Sequence, residues 1–211
     1  MDQRVPARAP AAAAANCSGT RSPYTWSRKS NGPRYAPDRP QLTARATATA
    51  YTLRHPSEDD LAGLEERLRD WSDQHGSVGP GRAWSRHVAG TSWLAEAETG
   101  GRPLGVLLGF TSPDHPDEAV IQRIAVDPEF RRRGIGRALI GRFAEGQAGS
   151  GASRVTAACR PDDRAALGFF AALGFTPNAG PGSRKLYGVP AFENWDGPGE
   201  DRVLLERAIS Q

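Results

Sequence analysis

Hydrophobic and polar positions along this chain change period several times, and each change marks an element. Tyr51 to Arg54 reads as a short strand. Ser57-Glu58-Asp59-Asp60 then offers a serine cap with an acid three residues on. Leu61, Leu64, Leu68 and Trp71 follow at helical spacing, which predicts an amphipathic helix ending before Gly76. His75 to His87 contains Gly76, Gly79, Pro80 and Gly81 and reads as a loop, with at most a helical turn near Trp84 to His87. Within Val88 to Glu98 an apolar, small-residue stretch suits a strand. Gly100-Gly101 is a tight turn and Leu104 to Phe110 a more continuously apolar strand, so the two predict an antiparallel hairpin.

A second turn, Ser112 to Asp117, leads into a strand from Glu118 to Val126 that Asp127-Pro128 stops. Ile135, Leu139 and Phe143 then recur every four residues, the spacing of a helix, which runs out in the glycines between 146 and 151. Arg154 to Cys159 is a further strand, Asp163 to Leu173 a helix closed by Gly174, and Val203 to Arg207 a closing strand. This order predicts an α+β (mixed α/β) fold around a central mixed sheet flanked by helices.

Composition divides the chain. Residues 1 to about 48 contain Pro6, Pro10, Pro23, Pro33, Pro37 and Pro40, an alanine run from Ala11 to Ala15, and no apolar periodicity, which predicts a disordered tail before one folded domain over 49–211. Of the net charge of +3, residues 1–50 carry +6 and the remainder −3, so the high pI belongs to the tail. Its prolines oppose the amphipathic helix of an organellar transit peptide. A plain solvated tail is expected ahead of a targeting or nucleic-acid-contacting one. With no apolar run long enough to span a membrane, the expectation is a cytoplasmic protein. Two cysteines, Cys17 and Cys159, predict no structural disulfide, and four scattered histidines predict no metal site. The 25 arginines against two lysines suggest a GC-rich bacterial coding sequence, by association only.

The chemistry concentrates in Arg131-Arg132-Arg133-Gly134-Ile135-Gly136-Arg137, at the helix start that follows the Glu118 to Val126 strand. The first amides of a helix have no internal partner, and its dipole places roughly half a positive charge there. With permanently charged arginines alongside, this end predicts a di- or polyphosphate site. Glycine at 134 and 136 is read as clearing the way for a phosphate. No Lys-Ser/Thr pair follows the second glycine, which excludes the nucleotide-triphosphate loop. Leu139 stands where the dinucleotide fingerprint needs Gly or Ala.

Arg131-x-x-Gly134-x-Gly136, directly after a strand ending Val126-x-Pro128, resembles the signature of the GNAT superfamily of acetyl-CoA-dependent acyltransferases. A second stretch in the right order, Ala166, Phe169-Phe170 and Leu173-Gly174-Phe175, is similar to a later pattern of that family. The resemblance covers about 51 to 207. It implies a mostly antiparallel mixed sheet splayed between the strands at 120–126 and 154–159, with the pantetheine arm of acetyl-CoA in the opening. Implied cofactor contacts are Ile124, Ala125 and Val126 along the arm, Arg131, Arg132, Arg133, Gly134, Ile135, Gly136 and Arg137 around the pyrophosphate, Ala166, Phe169 and Phe170 beside the arm, and Asp163 as a further cofactor contact. The bland readings are a solvated or nucleic-acid-facing arginine patch and ordinary core aromatics.

Acyl transfer from a thioester to an amine needs an unprotonated amine, oxyanion stabilisation and a route for the thiol proton. The resemblance implies the Val126 amide as oxyanion donor and Glu118 as first candidate for the base, against its reading as an exposed turn carboxylate. Phe170 stands where the family often has a catalytic Tyr, and Asp163 where it has Asn, so Tyr187, Cys159 or water become the candidate proton donors, or the thiolate leaves unassisted. The acceptor groove is implied between His75 to His87 and Pro177 to Asp201. There Trp84, Phe192, Trp195, Glu193, Asp196, Glu200 and Asp201 would suit a cationic amine, or are simply solvated.

The expectation is an N-acetyltransferase acting by direct transfer in a ternary complex. Its partners would be acetyl-CoA, an amine on a small molecule or protein, and a second copy of the chain as a candidate homodimer, with no membrane. A catalytically silent acetyl-CoA-binding regulator is the alternative. A nucleic-acid-binding module ranks last.

Overall fold

The computed structural model describes residues 50–71 and 86–209. The expected tail and most of the expected His75 to His87 loop, Trp84 included, lie outside these residues. In chain order the elements are β1 (Tyr51–Arg54), α1 (Glu58–Trp71), β2 (Trp93–Ala97), β3 (Pro103–Thr111), β4 (Glu118–Val126), α2 (Ile135–Gly149), β5 (Arg154–Cys159), α3 (Arg164–Ala171), β6 (Thr176–Pro177), β7 (Arg184–Leu186), β8 (Val189–Ala191) and β9 (Val203–Ala208). The main sheet has the order β1-β2-β3-β4-β5-β9-β6. Its pairs are antiparallel except β4 with β5. No helix among the described residues is long and apolar enough to cross a membrane.

The capping box forms as the spacing predicts: Asp60 N–H donates to Ser57 Oγ at 3.1 Å, and Ser57 N–H donates to Asp60 Oδ2 at 2.7 Å. The apolar stripe of α1, Leu61, Leu64, Leu68 and Trp71, is buried on Leu94, Val106, Leu108 and Ala125. Each such side chain contributes about 1.5–3 kcal/mol on burial. On the other face of the sheet α2 buries Ile135, Leu139, Ile140 and Phe143. It approaches closely because Gly105 and Gly109 of β3 lie beneath it. A Cβ at 109 would sit 2.7 Å from the Phe143 ring.

β4 changes face partway along. Opposite Leu108 and Gly109 the register slips, Leu108 pairing with Arg123 and Gly109 with Ile121, so one extra residue is absorbed there. Ala119 and Ile121 before this bulge, and Ile124 and Val126 after it, therefore all pack toward α2, while Ala125 faces α1. The parallel ladder to β5 covers Glu118 to Ile121 against Arg154 to Ala157 and stops at the bulge.

The strand expected within Val88 to Glu98 is β2, from Trp93, and Val88 belongs to a helical turn that runs into a 3-10 turn at Ala89–Thr91. α3 runs to Ala171 and is closed at Gly174, φ 85°, where Gly174 N–H donates to Ala171 O and Phe175 N–H to Phe170 O, both at 3.1 Å. The hairpin β7–β8, paired outside the main sheet, was not anticipated: its two-residue turn is Tyr187-Gly188, φ 49° and 90°, where Asn-Gly or Asp-Gly is the usual signal.

Candidate active site

The opening between β4 and β5 begins where the bulge ends their ladder. Asp127 N–H donates to Leu104 O at 2.9 Å, which makes that opposed pair hydrogen-bonded. Alternation along the antiparallel ladder then assigns Ala125 to Val106, and turns the backbone groups of Ile124 and Val126 away from β3, toward the opening. The Ala125 amide serves the sheet and its side chain faces α1.

Beyond Val126 the chain makes the turn that Asp127-Pro128 requires. Asp127, buried, accepts from Glu129 N–H at 3.0 Å and from Arg102 Nη2 at 2.8 Å. The guanidinium carbons of Arg102 and Arg133 each lie 5.0 Å from the Phe130 ring centre. Two left-handed residues follow, Arg132 at φ 64° and Gly134 at φ 85°, and α2 begins. No side chain caps its first amides and its first turn holds no acid. By contrast α1 is capped by Ser57 and α3 by Asp163, whose Oδ1 accepts from Ala166 N–H at 2.8 Å.

The arginine run divides by function. Arg131 Nε donates to Val126 O at 3.1 Å and its Nη2 to Trp71 O at 2.6 Å. Arg133 Nη2 donates to Glu129 O at 3.3 Å. Arg132 and Arg137 are exposed, on the loop and the first turn of α2. The side chain of Arg131, expected at the pyrophosphate, is directed back to two carbonyls. Gly136 is corrected in its reason: a Cβ there would meet Phe169 Cζ at 2.9 Å, so the missing side chain makes room for an aromatic ring.

The aromatic pair also divides. Phe169 is half-buried against Gly136, whereas Phe170 is 5% exposed and stacks edge-on with Phe169 and Phe175 at 5.3 and 5.1 Å. Phe170 is a core residue. Asp163, expected as a cofactor contact, caps α3 through its Oδ1.

Glu118, the first candidate for the base, lies at the end of β4 that is paired with β5. It sits at the start of β4, and a strand rise of about 3.3 Å per residue puts it roughly 25 Å from Val126. Its carboxylate is occupied by Arg154 Nη2 at 3.0 Å and Thr156 Oγ1 at 2.8 Å. The other proton candidates lie past the opening. Cys159, buried at the end of β5, has its thiol pushed up to about 12 by burial and then by Asp163. Tyr187 is 64% exposed at the hairpin tip, its carbonyl accepting from Arg164 Nη2 at 2.9 Å.

The acids expected to face an amine are engaged internally. Asp196 and Glu200 both bind Arg202, at 2.6 and 2.7 Å, Glu193 lies 3.3 Å from Arg184, and Asp201 accepts from Asn194 N–H. Trp195, 53% exposed and 5.4 Å from Phe192, remains on this surface. Among the described residues no cluster of three or more His, Cys, Asp or Glu could hold a metal.

Residues 51–175 match the family model described as the acetyltransferase (GNAT) family. An L-2,4-diaminobutyric acid acetyltransferase from Nocardia farcinica is 30% identical over 151 residues, 69% of this chain and 75% of its own. The protein of that name from Bordetella parapertussis is 27% identical over 161 residues, 76% and 85% of the two chains. Among solved structures, Ard1 from Thermoplasma volcanium has a TM-score of 0.61 at 21% identity, covering 77% of this chain and 99% of that one. Salmonella typhimurium yncA, solved with its cofactor acetyl-CoA, has a TM-score of 0.56 at 18% identity, covering 77% and 95%. At those identities the structures speak for the fold. With the family model spanning 51–175, the chain belongs to the acetyltransferase (GNAT) family.

Proposed function

We propose that this enzyme transfers an acetyl group from acetyl-CoA to a primary amine of a small diamino acid, by direct attack in a ternary complex. One observation carries the donor side: the opening of β4 from β5 directs the backbone of Ile124 and Val126 outward, beside the uncapped amides at the start of α2. The residues fit the group. Ile124 offers N–H and C=O to an amide-bearing arm, and Gly134 to Arg137 offer helix-start amides to a pyrophosphate, with Arg132 and Arg137 adding charge. Ala166 and Phe169 flank the arm. The acceptor class follows the names of the relatives and comes from no contact in this chain.

Bound acetyl-CoA supplies a thioester carbonyl whose carbon accepts the amine. Formation of the C–N bond with loss of the C–S bond would place negative charge on the carbonyl oxygen, and the Val126 N–H, turned into the opening, would be the donor to hold it. The nitrogen loses one proton and the departing sulfur gains one. With Glu118 at the far end of β4, the amine must arrive neutral or shed its proton to water. A thiol pKa near about 8.5 lets the thiolate leave without an acid, and Tyr187 is the side-chain donor available if one is used.

Thermal shift with acetyl-CoA and CoA, then thiol release across amines including 2,4-diaminobutyrate, ornithine and lysine, tests this reading. Stabilisation by both cofactors and turnover of a diamino acid are expected. Stabilisation without turnover of any amine would favour the silent regulator.

A further inference from the structure

Past the bulge, β4 is paired on one side only. Its ladder to β5 ends at Ile121, so the Val126 carbonyl faces the opening as an edge group with no strand to receive it. Among the described residues α1 runs as far as Trp71. The side chain of Arg131 bridges the two elements: Nε donates to Val126 O at 3.1 Å and Nη2 to Trp71 O at 2.6 Å. A guanidinium presents these donors in a rigid planar fork. The two carbonyls are 55 residues apart in numbering, and α1 and β4 also meet through apolar contacts such as those of Ala125.

We propose that Arg131 is a positioning residue for acetyl transfer rather than a phosphate ligand: it locks the end of β4 onto α1 at Trp71, and so fixes the direction in which the Val126 N–H points. This rests on the reading of that N–H as the oxyanion donor. A group holding the strand end acts on the chemical step, whereas a phosphate ligand acts on cofactor affinity, and the two separate cleanly.

The test uses Arg131→Met, which keeps the stem and removes every donor, and Arg131→Lys, which keeps a donor and the charge. Kd for CoA is measured by calorimetry, and kcat with acetyl-CoA and the best amine. For Arg131→Met the expected result is a fall in kcat of about tenfold to a hundredfold, short of the about 100- to 1000-fold for deleting an oxyanion donor outright, with Kd for CoA within about twofold. Arg131→Lys recovers part of kcat. The same comparison with S-acetylpantetheine, which has no phosphate, should give the same fractional loss.

A Kd raised tenfold with kcat retained, or a loss that vanishes with S-acetylpantetheine, overturns the proposal in favour of a phosphate contact. If Arg131→Met fails to fold, a fully active Arg131→Lys with weakened CoA binding overturns it equally. Wild-type protein that neither binds CoA nor releases it from acetyl-CoA would instead defeat the acetyltransfer reading, and this inference with it.

Discussion

Gly136 and Phe169 occupy each other's space: a Cβ on the glycine would lie 2.9 Å from Cζ of the ring. The second glycine of the loop therefore governs how closely α3 approaches α2 across the mouth of the opening. Gly136→Ala must displace a partly buried ring, an overpacking change that costs about 1–3 kcal/mol. In a Phe169→Leu background the penalty should shrink by more than half, read as a coupling in a denaturant double-mutant cycle. Equal costs in both backgrounds would show that the ring is not what the glycine accommodates.

Arg132 holds a left-handed backbone, φ 64°, that a side chain adopts only at a cost. Arg132→Gly removes that cost and one positive charge together, so stability and affinity should move apart. Unfolding free energy stays level or rises by about 1 kcal/mol, while Kd for CoA rises severalfold, more at low than at high salt. Calorimetry and denaturation on the same preparation check both halves.

Glu118→Gln separates a base from an ion-pair partner. The carboxylate joins Arg154 and Thr156 at the far end of β4, so kcat should stay within about twofold and keep its pH profile. A fall of about a hundredfold or more would return Glu118 to the chemistry.

Arg54 ties the start of α1 to the sheet. Its guanidinium donates to Asp60 at 2.7 and 3.1 Å and to Glu96 at 2.8 and 3.1 Å. This hydrogen bonding holds the Asp60 and Glu96 carboxyls below their usual range. Groups depressed in this way stabilise the fold above their unfolded pKa, and that stability drains as pH falls below about 4. Arg54→Met should cost about 1–2 kcal/mol at pH 7, discounted for the partial exposure of Arg54, and flatten the stability curve between about pH 4 and pH 2. An unchanged acid slope in the variant would exclude the network as its source.

Much of this protein is local and therefore legible in its sequence. The capping box at Ser57, the apolar stripe of α1, the Asp127-Pro128 stop and the fourfold repeat of Ile135, Leu139 and Phe143 each act within one or two turns of chain. Their elements stand where the spacing puts them. The basic glycine loop is legible as an anion site for the same reason, because a helix start carries its amides whatever it packs against.

What a side chain meets across the fold was decided only by tertiary structure. Periodicity assigns Glu118 and Val126 to one strand, but only the β4–β5 ladder shows which end is closed and which opens. Motif spacing groups Arg131 with its neighbours, yet the packing of α1 brings Trp71 O within 2.6 Å of it. Phe169 and Phe170 look alike in sequence, and the helix turn between them sends one to Gly136 and the other into the core beside Phe175. Hydrophobic pattern specifies a face, with period 3.6 or 2, and the bulge in β4 changes which face it is. The acyl carrier could be inferred from a loop whose chemistry is its own backbone. The strand end that orients the carrier depends on partners about 20 to 60 residues away, which no local pattern names.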